Sequence, residues 1–447
     1  FVITGTGFTG ATASLISSGG TAVAFASQTV DSATQITAVI AKSTLTNAGE
    51  PYDVKVTAGN GLTTTLDNQI NVDAQPVFQT AAGSLGSTSD SGRAGFSAIL
   101  ISAHDPESGA DPTYTLEAGS LPSGLSGAST DSGYAITGTP NAVGSNTTST
   151  FTIRAKDAAS NTSDRQYTLT VLAPATQSFT SSGTFSVPTG VSAVDVLVVG
   201  GGGAGGNHHG AGGGAGGLIY RPGFTVTPGS TISVTVGAGG TGTANFPAPD
   251  NPGGLAGASG QDSVFSTLTA KGGGGGGGYP NSGNGVPGGS GGGEAGPGQN
   301  GSVGSAIQPT QGGESGNYGF GNAGGSAPTT NNAAGGGGGG AGASGTGPAS
   351  TGGAGGVGKA YTIADGTTSV YYAGGGGGSF YSFDRGTRGV GGQGGGGGGG
   401  TRCETPGTGH CKPATANRGG GGGGADRGPG SGGSGGAGGK GIVIVKY

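Results

Sequence analysis

The stretch VDVLVVGGGGAGG at residues 194–206 joins an apolar strand directly to a glycine run. Five uninterrupted runs of five to seven glycines follow it: Gly272–Gly278, Gly335–Gly340, Gly374–Gly378, Gly394–Gly400 and Gly419–Gly424. The chain then closes on a second apolar segment, Ile442–Val445. Glycine loses more backbone freedom on folding than any other residue, so glycine tracts usually form flexible linkers. A linker needs no apolar strands at its two ends, and this bracketing therefore predicts a folded glycine-rich domain.

The similar lengths of the glycine runs suggest how such a domain is held together. Glycine has no side chain to bury, and a helix of the polyproline II type makes no internal hydrogen bonds, so its backbone groups must pair with neighbouring segments. At about 3.1 Å per residue, five to seven glycines span roughly 15–22 Å. We predict parallel and antiparallel rods of matched length, closed by pairing of Ile442–Val445 with Val194–Val199. A disordered glycine tract is the alternative.

Composition narrows the classes of function. The 447 residues correspond to about three domains. Only 9% of the residues are charged and the net charge is −5, so we expect no basic surface for nucleic acid or an anionic membrane. No apolar stretch approaches the ~20 residues of a membrane span, which argues against membrane insertion. Because the sequence contains no methionine, we expect a processed chain or part of a longer one.

The regions before the glycine-rich segment have the alternating pattern of β-strands. Tyr52, Val54 and Val56 alternate with polar residues, and Asn60-Gly61 is a hairpin signal. Further along, Phe151 begins an alternating run and Tyr167 begins another. No segment has the apolar period of a helix. The sequence therefore predicts an all-β protein, with two immunoglobulin-like β-sandwiches before a domain of strands and packed polyglycine rods.

Four resemblances accompany this pattern. In residues 1–74, ITGTGFTGA, YDVKVTAGNG and LDNQINV resemble the immunoglobulin-like IPT/TIG family. That resemblance implies a module that lacks its first strand, because only Phe1 and Val2 precede Ile3. In residues 75–174, LPSGL and ITGTP are similar to cadherin-like and immunoglobulin-like repeats of bacterial and phage surface proteins. In residues 176–447, VTPGSTISVTVGAGG and GGKGIVIVKY resemble the glycine-rich domain of phage and bacterial extracellular proteins. The glycine runs are more loosely similar to the tail-fibre adhesins of tailed phages.

Several short patterns in the sequence resemble motifs of cofactor-binding or metal-binding sites. VDVLVVGGGGAGG imitates a dinucleotide-binding fingerprint, but that fingerprint requires a helix after the glycines, and the sequence continues with Asn207, His208, His209 and more glycine. We interpret the two histidines as surface loop residues. His410 lies beside Cys411, but its spacing to Cys403 fits no zinc pattern. We therefore predict no catalytic residues, no metal site and no enzymatic activity.

The two cysteines are candidates for a disulfide, and a set of acidic residues are candidates for calcium binding. Cys403 and Cys411 are the only cysteines, and we predict a local disulfide between them, as expected outside the cytosol; two free thiols are the alternative. Five acidic residues of the second module are candidate calcium ligands. They are Asp105, Glu107, Asp111, Asp157 and Asp164. Acidic residues in turns are more often solvated or capping, so our prediction is that there is no cofactor.

Aromatic residues beside the glycine runs are the candidates for receptor contact. They are Tyr279, Tyr318, Phe320, Phe380, Tyr381 and Phe383. Aromatic rings offer large contact area at low entropic cost and stack on sugars. The alternative is that the rings fill the small apolar cores of the domain, and we favour it for Tyr371 and Tyr372.

Together these features predict a non-enzymatic virion or extracellular structural protein. The first hypothesis is a phage tail fibre or appendage that contacts a host cell-surface glycan or protein through loops of the glycine-rich domain. The second is a bacterial surface or extracellular filament subunit that self-assembles. The expected partners are copies of the chain or other virion or filament proteins.

Overall fold

The computed structural model describes residues 1–72, 74–89, 96–106, 111–158, 160–243, 254–296, 301–309, 319–328, 334–349, 351–380, 387–400, 411–428 and 431–447. The chain divides into two compact units, of which the first ends at Leu172 and the second contains Ala173–Tyr447. The predicted all-β class is confirmed. Within the described residues, no helix has the length and hydrophobicity needed to cross a membrane.

The first part of the first unit is a two-sheet module. Its elements are β1 (Val2–Thr4), β2 (Thr12–Ile16), β3 (Ala22–Ala24), β4 (Ser27–Ser32), β5 (Gln35–Val39), the 3₁₀ turns Lys42–Thr44 and Asn47–Gly49, β6 (Tyr52–Thr57) and β7 (Thr63–Ile70). One sheet has the order β1-β5-β4 and the other β3-β2-β6-β7. Leu15, Ile36 and Tyr52 lie in the core between them. The alternation that predicted β6 is observed, since Tyr52, Val54 and Val56 are buried and their neighbours are half-buried.

The second part of this unit has its own core. Its strands are β8 (Val77–Phe78), β9 (Gly83–Ser89), β10 (Ile99–Ile101), β11 (Ala103–His104), β12 (Thr113–Gly119), β13 (Leu125–Thr130), β14 (Gly133–Gly138), β15 (Thr147–Lys156) and β16 (Thr162–Leu172). The sheets have the orders β12-β15-β16-β9, β10-β14-β13 and β11-β8. Phe151, Ile153, Tyr167 and Leu169 fill the core.

The second unit combines strands with glycine segments. Its strands are β17 (Thr176–Phe179), β18 (Gly183–Ser186), β19 (Ala193–Val199), β20 (Leu218–Thr225), β21 (Thr231–Thr235), β22 (Ser263–Phe265), β23 (Leu268–Ala270), β24 (Gly319–Phe320), β25 (Lys359–Tyr361), β26 (Val370–Tyr372), β27 (Arg427–Gly428), β28 (Ser431–Gly432) and β29 (Ile442–Lys446). The largest sheet has the order β17-β29-β19-β20-β24, and a second has the order β18-β21-β22-β23.

The predicted closure of the glycine-rich domain is confirmed. β29 pairs with β19 in antiparallel register, with Val445 opposite Val196 and Ile442 opposite Val199. Both strands lie inside the five-stranded sheet, which explains why they are apolar on both faces. Leu197 and Ile444 pack on one face against Ile363 and Tyr372. Since side chains alternate along a strand, Val196 and Val198 point to the other face.

The glycine segments form the predicted rods, and their hydrogen bonds repeat every three residues. The N–H groups of Gly200, Gly203 and Gly206 donate to the carbonyls of Gly217, Gly214 and Ala211, which run in the opposite direction. The N–H groups of Gly273 and Gly276 donate to Gly201 and Ala204, which run in the same direction. A repeat of three is that of the polyproline II helix. The prediction of parallel and antiparallel rods is confirmed.

The 200–206 rod shows how the bundle is connected. Its N–H groups donate in turn to three segments, 211–217, 258–261 and 436–439. Its carbonyls accept from three others, at residues 240, 273–276 and 422–425. Each rod of three-residue period presents its backbone groups in all directions, so an interior rod is held by neighbours on every side. The bundle is therefore a network of backbone hydrogen bonds.

One run departs from a straight rod. Gly394 and Gly395 have φ values of +108° and +94° and form a turn with Gln393. The rod begins only afterwards, where Gly397 and Gly400 donate to carbonyls three residues apart, at residues 421 and 424. The number of consecutive glycines therefore exceeds the length of the rod here, because glycine also adopts the left-handed conformations that turns require.

The close approach of the rods predicts a sharp difference between two neighbouring glycines. A methyl group on Gly399 would overlap the carbonyl group of Gly378 in the next rod. At Gly398 the nearest atom is the Gly389 carbonyl oxygen at 3.9 Å. We expect Gly399→Ala to destabilise the domain by about 1–3 kcal/mol, as overpacking does. Gly398→Ala should change stability by less than about 1 kcal/mol, and in the stabilising direction, because it restricts the unfolded chain.

Chemical denaturation of the full chain with both variants measures this difference. Equal losses of stability in the two variants would contradict the close packing of the 399 position.

The position of β29 between β17 and β19 generates a second prediction. Deletion of residues 441–447 removes both pairings at once, so the backbone N–H and C=O groups on one edge of β19 lose their partners. We expect the thermal transition of the glycine-rich unit to move down strongly or to disappear in calorimetry. Lys446→Ala is the control, since it leaves the strand backbone in place and should preserve the transition. An unchanged transition in the deletion variant would rule out the closing role of β29.

Candidate functional site at the loop end of the rods

Several rods end together on the side away from the five-stranded sheet. Strand β19 leads directly into the rod 200–206, and the rod 211–217 leads directly into β20; residues 207–210 join the two rods. Around this turn, the N–H of Ser379 donates to Gly210 and that of Gly210 donates to Ala425. We call the described residues 207–210, 279–282, 379–380 and 425–426 the loop end. The rods therefore hold segments distant in sequence at one surface.

The 207–210 turn reverses the chain between two rods. His208 and His209 have φ values of 53° and 57°, in the left-handed region. The side-chain carbonyl of Asn207 accepts the N–H of Leu255 at 2.6 Å, and its own N–H donates to the Leu255 carbonyl. The continuation after Gly206 is thus a turn and a second rod, which agrees with the rejection of a dinucleotide fingerprint.

The two histidines are buried, which corrects their interpretation as surface loop residues. Their rings stack with centroids 4.8 Å apart, and the Tyr279 ring lies 6.1 Å from His208 and 5.9 Å from His209. His208 is 8% exposed and His209 is 9% exposed. Nδ1 of His209 lies 2.6 Å from Oδ1 of Asp426, which is itself buried. The sequence could not show the contact between His209 and Asp426, because the two residues are 217 positions apart and the rods bring them together.

The His209–Asp426 pair imitates part of a hydrolytic triad. In such a site the nucleophile is hydrogen-bonded to the histidine. Ser379 is buried next to Gly210, but its hydroxyl has no hydrogen-bond partner among the described residues. The described loop end therefore contains the acid and base of a triad without a coupled nucleophile. Within the same described residues, no group of three or more His, Cys, Asp or Glu side chains is placed to hold a metal ion.

The structure brings two of the candidate contact residues to the loop end. Tyr279 donates its N–H to the His208 carbonyl, and Phe380 directly follows Ser379 and pairs with Ala334. Both side chains are partly exposed. Tyr318, Tyr381 and Phe383 lie outside the described residues.

Phe320 is at the opposite end of the rods, where they meet the five-stranded sheet, which we call the strand end. It belongs to β24 and pairs with Leu218, where the 211–217 rod meets the sheet. Seven residues of rod, about 20 Å, separate this point from the loop end. The Lys359 ammonium group lies 4.0 Å from the centroid of the Phe320 ring, and the ring packs against the core of the sheet. Phe320 is therefore not grouped with Tyr279 and Phe380.

Tyrosines at the strand end serve packing. Tyr372 is 3% exposed and lies in β26, as predicted for a ring that fills a core. Tyr371, for which the sequence predicts the same role, is 39% exposed and does not fill the core. The rings of Tyr220 and Tyr361 lie 4.6 Å apart, and burial raises the pKa of both hydroxyls. These hydroxyls stay neutral at physiological pH and contribute to a core.

The remaining candidates concern the cysteines and the acidic residues. Cys403 lies outside the described residues, so its bond to Cys411 stays a prediction. Asp164 forms a two-point ion pair with Arg154, whose side-chain hydrogen bond is the main cause that lowers the Asp164 pKa. The Asp157 carboxylate accepts the N–H of Asn161 at 2.7 Å and caps a turn. Glu107 lies outside the described residues, and Asp105 and Asp111 join no metal-binding group among the described ones.

Comparison with known proteins gives two family matches. Residues 76–172 match the family described as "Putative Ig domain". None of the curated proteins matches the chain. Among solved structures, the protocadherin GammaB4 extracellular domain is 17% identical, with 40% of this chain and 29% of that chain covered and a TM-score of 0.24. Human CDH23 EC21-23 is 16% identical, with 39% and 63% covered and a TM-score of 0.24.

A third solved structure, the endo-fucoidan hydrolase MfFcnA4 of glycoside hydrolase family 107, is 14% identical, with 44% and 36% covered and a TM-score of 0.19. The chain thus spans less than two thirds of the length of these solved chains. At such TM-scores the similarities carry no functional argument. The longest match is to the family described as "Glycine-rich domain", over residues 178–447. This match covers more than half of the sequence and includes the strands, the rods and the loop end, and the chain belongs to the glycine-rich domain family.

Proposed function

We propose that the chain is a non-enzymatic structural protein of a virion or cell exterior, and that it is a phage tail fibre or similar appendage. In this proposal the loop end of the glycine-rich domain contacts a glycan or protein on the host cell surface. The observation that carries the proposal is the placement of Tyr279 and Phe380 around one turn, 207–210, at the end of the hydrogen-bonded rods.

The chemistry of the loop end supports binding rather than catalysis. The His209–Asp426 pair is buried and lies beside two stacked imidazoles and the Tyr279 ring. These contacts hold the buried side of the Tyr279 ring in one orientation, and the rest of the side chain stays accessible. Partly exposed aromatic rings held in one orientation stack on sugar rings or on apolar side chains at little entropic cost.

The modular organisation supports a location outside the cell. An immunoglobulin-type domain precedes the glycine-rich domain in the chain. In such an arrangement binding residues sit on loops that a rigid scaffold positions. Self-assembly into a filament, the second hypothesis, uses the same modules and is distinguished by experiment.

A binding measurement tests the proposal. The labelled full chain is applied to an array of purified bacterial surface polysaccharides and to whole bacterial cells. We expect Tyr279→Ala and Phe380→Ala each to lower affinity by about 2 kcal/mol, roughly thirtyfold, because truncation of central aromatic contacts costs this much. Tyr371→Ala is the matched control, since this tyrosine is 39% exposed at the strand end and should leave binding unchanged.

Two results would count against this function. If binding survives both loop-end substitutions, the contact surface lies elsewhere on the protein. Regular filaments in micrographs of the purified chain, together with no binding to any cell or polysaccharide, would favour the self-assembling subunit. Melting temperatures of all variants show whether a loss of binding reflects local contact or loss of fold.

A further inference from the structure

A groove of about 530 Å³ lies in the second module, between the outer edges of two strands. β12 is the terminal strand of the four-stranded sheet, and β13 is the terminal strand of the three-stranded sheet. Residues of both strands and of the connecting segment 120–123 line the groove. The groove is therefore bounded by two sheet edges.

The backbone of β13 directs hydrogen-bonding groups into this groove. The N–H of Thr139 donates to the Gly124 carbonyl, so Gly124 faces β14. β13 pairs with β14 in a regular register from Leu125 to Thr130. In an antiparallel pair the inward and outward positions alternate, so Gly127 and Ser129 direct their N–H and C=O groups away from β14. Both residues line the groove.

The edge of β12 faces the same space. The N–H of Tyr114 donates to Oγ of Ser129 at 3.0 Å, which shows that Tyr114 directs its amide away from its partner strand β15. By the same alternation, Leu116 directs its backbone groups to that side. The Tyr114–Ser129 bond joins the two edges at one point.

The described side chains around the groove are uncharged, and three of them are leucines. Leu116 is 39% exposed, and Leu121 and Leu125 are half-buried. The other lining residues include four serines, and none of the described residues that line the groove is charged. Natural sheet edges are usually protected by charged residues, by proline or by a bulge. β13 contains no charge and no proline, while β12 has a bulge after Leu116.

We propose that this groove binds an extended, uncharged peptide strand of another polypeptide, which adds to the outer edge of β13. The backbone of the peptide pairs with Gly127 and Ser129, and its apolar side chains contact Leu116, Leu121 and Leu125. Strand addition obtains affinity from main-chain hydrogen bonds and selectivity from the pockets for alternate side chains. An uncharged peptide is required, because a charge buried against this lining would have no partner.

Peptide binding to the full chain tests the proposal. The probes are doubly capped octapeptides in which Val or Leu alternates with Ser or Thr, long enough to cover the six residues of β13. We expect saturable binding and slower hydrogen exchange at the amides of Gly127 and Ser129. Probes with proline at alternate positions should not bind, because proline has no N–H to donate.

Two substitutions provide the matched comparison. Leu116→Glu should weaken the binding of the probes at least about tenfold, because it places a charge in the groove. Leu100→Glu is the control, since Leu100 is 47% exposed on β10 at the opposite edge of the same sheet as β13. It should leave the affinity unchanged.

Three outcomes would overturn the proposal. One is the absence of binding by every probe at concentrations up to about 1 mM, the weakest affinity of interest. Another is equal binding by Leu116→Glu and Leu100→Glu. The third is dimerisation of the chain that Leu116→Glu alone abolishes, which would assign the groove to a second copy. None of these measurements depends on the loop end of the glycine-rich domain.

Discussion

Hydrogen bonds between the backbones of glycine rods are the interaction on which the second unit depends. A helix of three residues per turn has no internal hydrogen bonds, so every peptide group of a buried rod needs a partner in another rod. The 200–206 rod meets this requirement by donating to three segments and accepting from three. Such an arrangement requires backbones to approach closely, and a Cβ atom on Gly212 or Gly399 would overlap a carbonyl of the adjacent rod. Absence of side chains is therefore a packing requirement here.

This constraint explains how a chain with few apolar side chains forms a compact unit. Ordering glycine costs more conformational entropy than ordering any other residue. The cost is offset because each rod residue exchanges hydrogen bonds with water for hydrogen bonds with other rods, and because buried apolar strands hold the rods in register. β19 leads directly into the first rod, and β29 pairs beside it at the end of the chain. The sheet thus fixes where the rods begin, and the rods fix where the turns between them lie.

The loop end follows from the same geometry. His209 and Asp426 are far apart in the sequence, yet their side chains meet because the rods that carry them have similar lengths. Tyr279 and Phe380 reach this surface for the same reason, whereas Phe320 lies at the strand end because β24 pairs with β20. One signal of the histidine cluster was present in the sequence. Two histidines between the glycine segments 200–206 and 210–217 occupy the position where a chain must turn, and a turn between interior rods is enclosed by the ends of its neighbours.

The all-β class, the rods and the closing pair of strands could be predicted from the amino-acid pattern. This is so because these features depend on local pattern: alternation of apolar residues, runs of glycine of matched length, and two strands apolar on both faces. Three features become visible in the folded chain alone: which rods are neighbours, the burial of His208 and His209, and the groove between the edges of β12 and β13. A glycine residue has no side chain to distinguish one neighbour from another, so the partner of each rod is set by the lengths of the connections and by the strands to which the rods are attached. Burial and contact at the rod ends follow from that arrangement, and the local sequence marks only where the chain turns.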